Sequence, residues 1–137
     1  MSDENVEIVR RAWELLADRG VDALLADFPD FFDENCVLED FPDLPDHARY
    51  LGPGGAREID RHFREMWDGL FQEPTEFIDA GDDLVVAVIA MRGIGKGSGV
   101  PLDAEAVWVH ELRDGKAVRM RAFTTRQQAL EAAGLSE

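Results

Sequence analysis

The segment CVLEDFPDLPDHARYLG, residues 36–52, gathers four carboxylates, an imidazole and the only phenol of the chain. Cys36, Val37 and Leu38 read as a buried strand. Side chains alternate along a strand, so Glu39 and Asp40 must face opposite sides, and only one of them can look into an interior. A carboxylate among apolar neighbours gains proton affinity and can act as a general base. At a wet strand end it does nothing but meet solvent. Pro42 and Pro45 stiffen the loop that carries Asp43 and Asp46, which suits a rim or a lid. His47 lies in that loop. Tyr50 follows it, placed either as a phenolic donor at a pocket mouth or as packing beneath the loop.

A second group of chemically able residues sits in AVWVHELRDGKAVRMRAF, residues 106–123. Asp114-Gly115 is a strong two-residue hairpin signal. Counting back from that turn puts Leu112 opposite Ala117, His110 opposite Arg119, Trp108 opposite Arg121 and Ala106 opposite Phe123. Directly opposed residues share a face. One face would then carry Trp108, His110, Arg119, Arg121 and Phe123, and the other Val107, Val109, Val118, Met120 and Ala122. The first face fits a ligand pocket, apolar with a few placed polar groups. It fits equally an exposed sheet face with one Trp108–Arg121 cation–π pair. His110 could exchange a proton near neutral pH. Arg121 and Arg92 could hold a carboxylate or enolate, or form structural ion pairs with the many acids available.

The elements that must place these residues are legible in outline. Val9, Ala12, Trp13 and Leu16 recur at helical spacing over residues 4–18. VDALLADF, 21–28, reads as a short second helix, and a first strand covers 36–41. Pro53 suits the opening turn of a third helix, in which Ile59, Phe63, Met66, Trp67 and Leu70 form one apolar stripe and His62 lies at its edge. Strands follow at 75–80, 83–97, 102–113 and 116–123. Thr125 and Gln128 form a capping box for a last helix that Gly134 ends. Hairpins after grouped helices predict an α+β fold with an antiparallel or mixed sheet and helices on one face. No linker, repeat or low-complexity tract divides the chain, so residues 1–137 read as one domain.

The net charge of −15 opposes binding to nucleic acid or to anionic membranes. No apolar run is long enough to cross a bilayer, and MSDENVEIVRR is too polar for a signal peptide. A lone cysteine and the absence of a Cys/His cluster argue against a disulfide or zinc. GIGKGSG, 93–99, lacks the phosphate-loop spacing and precedes a strand rather than a helix. These features predict a cytoplasmic protein that needs no cofactor.

The stretches ENVEIVRRAWELLADRGVDALLADF, YLGPGGAREIDRHFREMW, EFIDAGDDLVVAVIAMRGIGKGSG and AVWVHELRDGKAVRMRAFTTRQQALEAAGL resemble the SnoaL-like branch of the nuclear-transport-factor-two-like superfamily. The most specific parts are the turn Asp79-Ala80-Gly81-Asp82, the hairpin Leu112 to Lys116 and the tail Ala129 to Leu135. The resemblance implies a cone-shaped, strongly curved sheet around the N-terminal helices, with a pocket inside for a small hydrophobic ligand. It also implies a homodimer through the outer sheet face, here the face of Val107, Val109, Val118 and Met120.

Members of this superfamily include isomerases, polyketide cyclases, dehydratases, epoxide hydrolases and plain binders, so fold does not decide function. The His of the cyclases corresponds to Trp108, with His110 two residues on, and their last-strand Asp corresponds to Arg121. The base of ketosteroid isomerase, a worked case of carboxyl tuning, corresponds to Asp40, and its first-helix Tyr to Trp13. No second donor acid is evident. Two expectations therefore stand side by side. In one, a cofactor-independent isomerase, cyclase, lyase or hydrolase uses Asp40 as base, His110 or Tyr50 as proton donor and Arg121 against developing negative charge, in a pocket lined by Trp13, Phe63, Trp67, Trp108, Phe123 and Arg92. In the other, the protein holds a ligand and does no chemistry.

Overall fold

The computed structural model describes residues 2–44 and 47–135; Pro45 and Asp46 of the acidic loop lie outside them. Helices α1 (Ser2–Arg19) and α2 (Val21–Asp27) come first, then strands β1 (Phe32–Glu39) and β2 (Arg49–Leu51), helix α3 (Gly52–Met66), strands β3 (Trp67–Gly81), β4 (Leu84–Gly95), β5 (Pro101–Arg113) and β6 (Lys116–Phe123), and helix α4 (Arg126–Ala132). One six-stranded sheet runs in the order β2-β1-β6-β5-β4-β3. Only β1 and β6 pair in parallel, so the sheet is mixed. It is curved and unclosed, the cone-like α+β arrangement.

Period-two alternation splits the sheet cleanly. Cys36 and Leu38 of β1, Val85, Ala87, Ile89 and Met91 of β4, Ala106 and Trp108 of β5 and Met120 and Ala122 of β6 face α1–α3 in one core. Helix α3 reaches that face because its first turn closes tightly on β2. A Cβ at Gly55 would stand 2.9 Å from the Tyr50 carbonyl carbon, so only glycine allows the approach.

Three expectations need correction. The apolar stripe of α3 stops at Met66. Trp67 is already extended, with φ −131°, and opens a 15-residue strand, so Trp67 and Leu70 belong to β3. A stripe of apolar residues continues across the junction because the same core is buried by both elements.

The second correction concerns the last hairpin. Asp114 and Gly115, with φ of 53° and 78°, make the expected tight turn, and Arg113 pairs with Lys116 and Leu112 with Ala117. Glu111 then pairs with Arg119, which leaves Val118 as an extra residue, a β-bulge. Beyond it every partner is displaced by one: His110 faces Met120, Trp108 faces Ala122, and Arg121 stands opposite Val109. A one-residue slip exchanges faces. Met120 and Ala122 therefore point inward, whereas Arg121 and Phe123 lie on the outer face, away from Trp108 and His110.

The third concerns the outer face itself. Val86, Val88, Val107 and Val109 are buried there by the chain's own α4, through Ala129 and Ala133, with Leu130 and Leu135 alongside. Of the four residues assigned to a homodimer surface, Val107 and Val109 are thus covered within the subunit and Met120 faces the other way, while Val118 is half-buried and lies outside the patch under α4. Thr125 Oγ1 accepts the Gln128 N–H at 3.1 Å and starts α4 as expected.

Candidate functional site

Between the helices and the concave sheet face lies a cavity of about 50 Å³. Its wall is built from Ala12, Trp13 and Leu16 of α1, Val21 and Leu24 of α2, Phe31 before β1, Phe32 and Leu38 of β1, Ile59 and Phe63 of α3, Trp108 of β5 and Met120 of β6. These are the positions that helical and strand periodicity turn inward. Two polar side chains join them, Asp60 on α3 and Gln72 on β3. Asp60 Oδ2 accepts from Arg64 Nε at 2.9 Å, one helical turn on. No basic side chain contributes to the wall.

Trp13, Phe63 and Trp108 lie where the sequence reading places them, on this wall. The indoles of Trp13 and Trp108 lie 6.0 Å apart between centroids, tilted by 49°. Asp60 and Gln72 were missed. Asp60 directly follows Ile59 at the border of the α3 stripe, which is a usable signal. Gln72 falls in a segment that sequence patterning treats as connection.

His110 is fully buried but is not part of the wall. Its Nε2 accepts the Trp13 indole N–H at 2.9 Å, and its Nδ1 lies 3.1 Å from the Val85 carbonyl oxygen. An indole N–H can only donate and a carbonyl can only accept. The imidazole is therefore neutral, with its proton on Nδ1. Burial, the dominant influence, lowers its pKa from 6.5 to about 4. Both nitrogens are already engaged, so His110 is not placed as a proton donor to a ligand.

Asp40 follows β1 and keeps the inward alternation of Cys36 and Leu38, with only 3 % of its surface exposed. Its N–H donates to the Ala48 carbonyl, and Ala48 N–H donates to its Oδ1, each at 3.2 Å. It does not contribute to the cavity wall, although Leu38, two residues back, does. Tyr50 pairs with Leu38 and packs against the same core, so Asp40 and Tyr50 occupy one end of one face. Glu39 faces the other way and binds Arg119 Nε at 2.8 Å.

Asp40 instead borders a separate surface depression of about 290 Å³, together with His47, Arg121 and Phe123. Arg121 Nη2 donates to the Ala132 carbonyl at 3.3 Å, and its guanidinium lies 5.9 Å from the Phe123 ring centroid. Partial burial and, after it, the neighbouring Arg119 lower its pKa. It fastens the end of α4 rather than entering the cavity. Phe123 packs under α4 on the outer face. Arg92 is 62 % exposed, 3.9 Å from Asp103, and also points outward. Trp67 is half-buried at the start of β3 and touches the core without lining the cavity.

Cys36 is buried, and burial followed by the charge of Asp33 pushes its thiol up to about 11, so it is not a nucleophile at neutral pH. Among the described residues no group of His, Cys, Asp and Glu is arranged to hold a metal ion, and no helix is long and apolar enough to cross a membrane.

Residues 9–120 match the family model of the SnoaL-like domain. No curated protein matches the chain. Among solved structures, an NTF2-like protein from Burkholderia thailandensis is 22 % identical, with a TM-score of 0.76 and coverage of 92 % of this chain and 96 % of that one. TerC co-crystallised with polyporic acid is 21 % identical, with a TM-score of 0.71 and coverage of 96 % and 98 %. A provisionally assigned SnoaL-like polyketide cyclase from Jannaschia sp. CCS1 is 20 % identical, with a TM-score of 0.70 and coverage of 96 % and 91 %. At these identities the likeness is one of fold.

Proposed function

The chain belongs to the SnoaL-like domain family, and from that premise we propose that it binds one small, largely apolar organic molecule between α1–α3 and the concave sheet face. The observation that carries this reading is the cavity wall: aromatic and aliphatic throughout, with Asp60 and Gln72 as the two polar side chains able to orient a ligand. A cavity needs about 10–15 Å³ to hold one water. The 50 Å³ here is room for a few groups of that size. Pockets for drug-sized ligands run from about 300 Å³ upward. A polyketide-like molecule with several rings therefore requires α1, α2 and α3 to move away from the sheet. That TerC, of the same fold, co-crystallises with polyporic acid supports an organic ligand here.

A second reading, acid–base catalysis without a cofactor, rests on Asp40. It is a buried carboxylate just beyond β1, on the same face as the half-buried Tyr50. In that reading Asp40 is the base and Tyr50 the donor. His110 has no part in it because both its nitrogens are engaged, and Arg121, which borders the same depression as Asp40, holds the end of α4.

The test is a thermal-shift and titration series of graded size: tert-butanol, benzene, naphthalene, anthraquinone. Binding of the smaller members, blocked in Ile59→Trp, supports the cavity. Equal binding by wild type and Ile59→Trp contradicts it.

A further inference from the structure

His110 is the one fully buried imidazole, and its role in the proposed site is open once proton donation is removed. It sits immediately behind the wall. Trp13 and Trp108 form the aromatic corner of the cavity, and the His110 ring meets the Trp13 indole edge-on, 6.2 Å between centroids at 90°. The indole N–H of Trp13 is taken out of water, and left without an acceptor there it would carry its full desolvation penalty. Nε2 of His110 supplies the acceptor at 2.9 Å, and the Val85 carbonyl on the neighbouring strand fixes the imidazole in turn. The chain of contacts runs from the sheet backbone through His110 to a side chain of the wall. Leu at residue 110 is close to His in volume but gives the indole no acceptor and the Val85 carbonyl no donor.

We propose that His110 is a positioning residue of the ligand cavity: as a hydrogen-bond acceptor it holds the Trp13 indole in the orientation that, with Trp108, shapes the wall. This rests on the reading of the cavity as the binding site. Ligand affinity then depends on an acceptor at residue 110 and not on a group that can carry a proton to the ligand. Gln offers an acceptor for the indole and a donor for Val85, and it does not titrate.

The experiment uses benzene as the probe, followed by NMR titration, with the Trp13–Trp108 exciton couplet in circular dichroism as a second readout. His110→Gln is expected to keep the couplet and to bind benzene within about threefold of wild type. His110→Leu is expected to lose the couplet and to bind about tenfold more weakly, or worse, the range set by losing one buried hydrogen bond. Should His110→Leu not fold, Trp13→Phe removes the same bond from the other side. It is expected to weaken binding similarly, and Trp13→Phe combined with His110→Gln to cost no more than Trp13→Phe alone. If wild type binds benzene and either His110→Leu or Trp13→Phe binds it as well, the positioning role is overturned and the cavity reading stands. If wild type binds no benzene, the cavity reading fails and the positioning role falls with it.

Discussion

Trp13 on the first helix and His110 near the end of the fifth strand are joined across the interior by a 2.9 Å hydrogen bond, indole N–H to Nε2. That single contact fixes the protonation state of the imidazole, ties α1 to the sheet and removes His110 from the roster of proton donors.

One consequence is a specific acid sensitivity. In the folded protein His110 titrates at about 4 rather than at 6.5. Between those values the unfolded chain takes up a proton that the folded one refuses, so stability rises with pH across that window and is lost as pH falls through it. The full difference amounts to about 3 kcal/mol. Urea unfolding at pH 7 and at pH 4.5 measures it. Wild type should lose more stability over that interval than His110→Gln, by roughly 2 kcal/mol. Equal losses would contradict the buried neutral imidazole.

The bulge at Val118 makes a second prediction. Deleting Val118 removes the extra residue and leaves the pairs beyond it as they are, Glu111 with Arg119, His110 with Met120 and Trp108 with Ala122. Met120 and Ala122 then stay on the inner face and Arg121 on the outer one. The variant should still unfold in one cooperative thermal transition. A lost transition would mean that Val118 is not simply an inserted residue between two matched stretches of the ladder.

Arg121 is expected to matter for stability and not for binding. Arg121→Ala removes one charge-assisted bond to the end of α4, about 1–2 kcal/mol. Denaturant unfolding should show that loss, with benzene affinity unchanged. A selective loss of ligand affinity would return Arg121 to the site.

Helix α4 covers Val86, Val88, Val107 and Val109. Ala129→Asp puts a charge into that contact, and the uncovered valines form the kind of apolar patch that drives association. Sedimentation should show self-association that grows with concentration in Ala129→Asp beyond that of wild type. Unchanged association would show that α4 is not what seals the face.

Much of the frame was readable because local rules agreed with tertiary packing. Trp13 and Val9 repeat at helical spacing, Thr125 caps a helix, and Asp114-Gly115 turns a hairpin. The site was less legible. Register counted from a turn assumes one residue opposite one, so a bulge at Val118 reversed the faces of Arg121, Phe123, Met120 and Ala122 without any local sign. The α3 stripe ran on into Trp67 and Leu70 because a strand buries the same core. The burial of His110 depends on Trp13, 97 residues away, and no spacing rule spans that distance. Asp40 was correctly separated from Glu39 by alternation alone.

The central claim is an apolar cavity that accepts a ligand, and xenon tests it most directly. Apolar cavities take up xenon, while polar ones hold ordered water. Crystals of the wild-type protein under xenon pressure should show a xenon atom bounded by Trp13, Ile59, Phe63 and Trp108. Ordered waters in that space bonded to Asp60 and Gln72, with no xenon, would contradict the account.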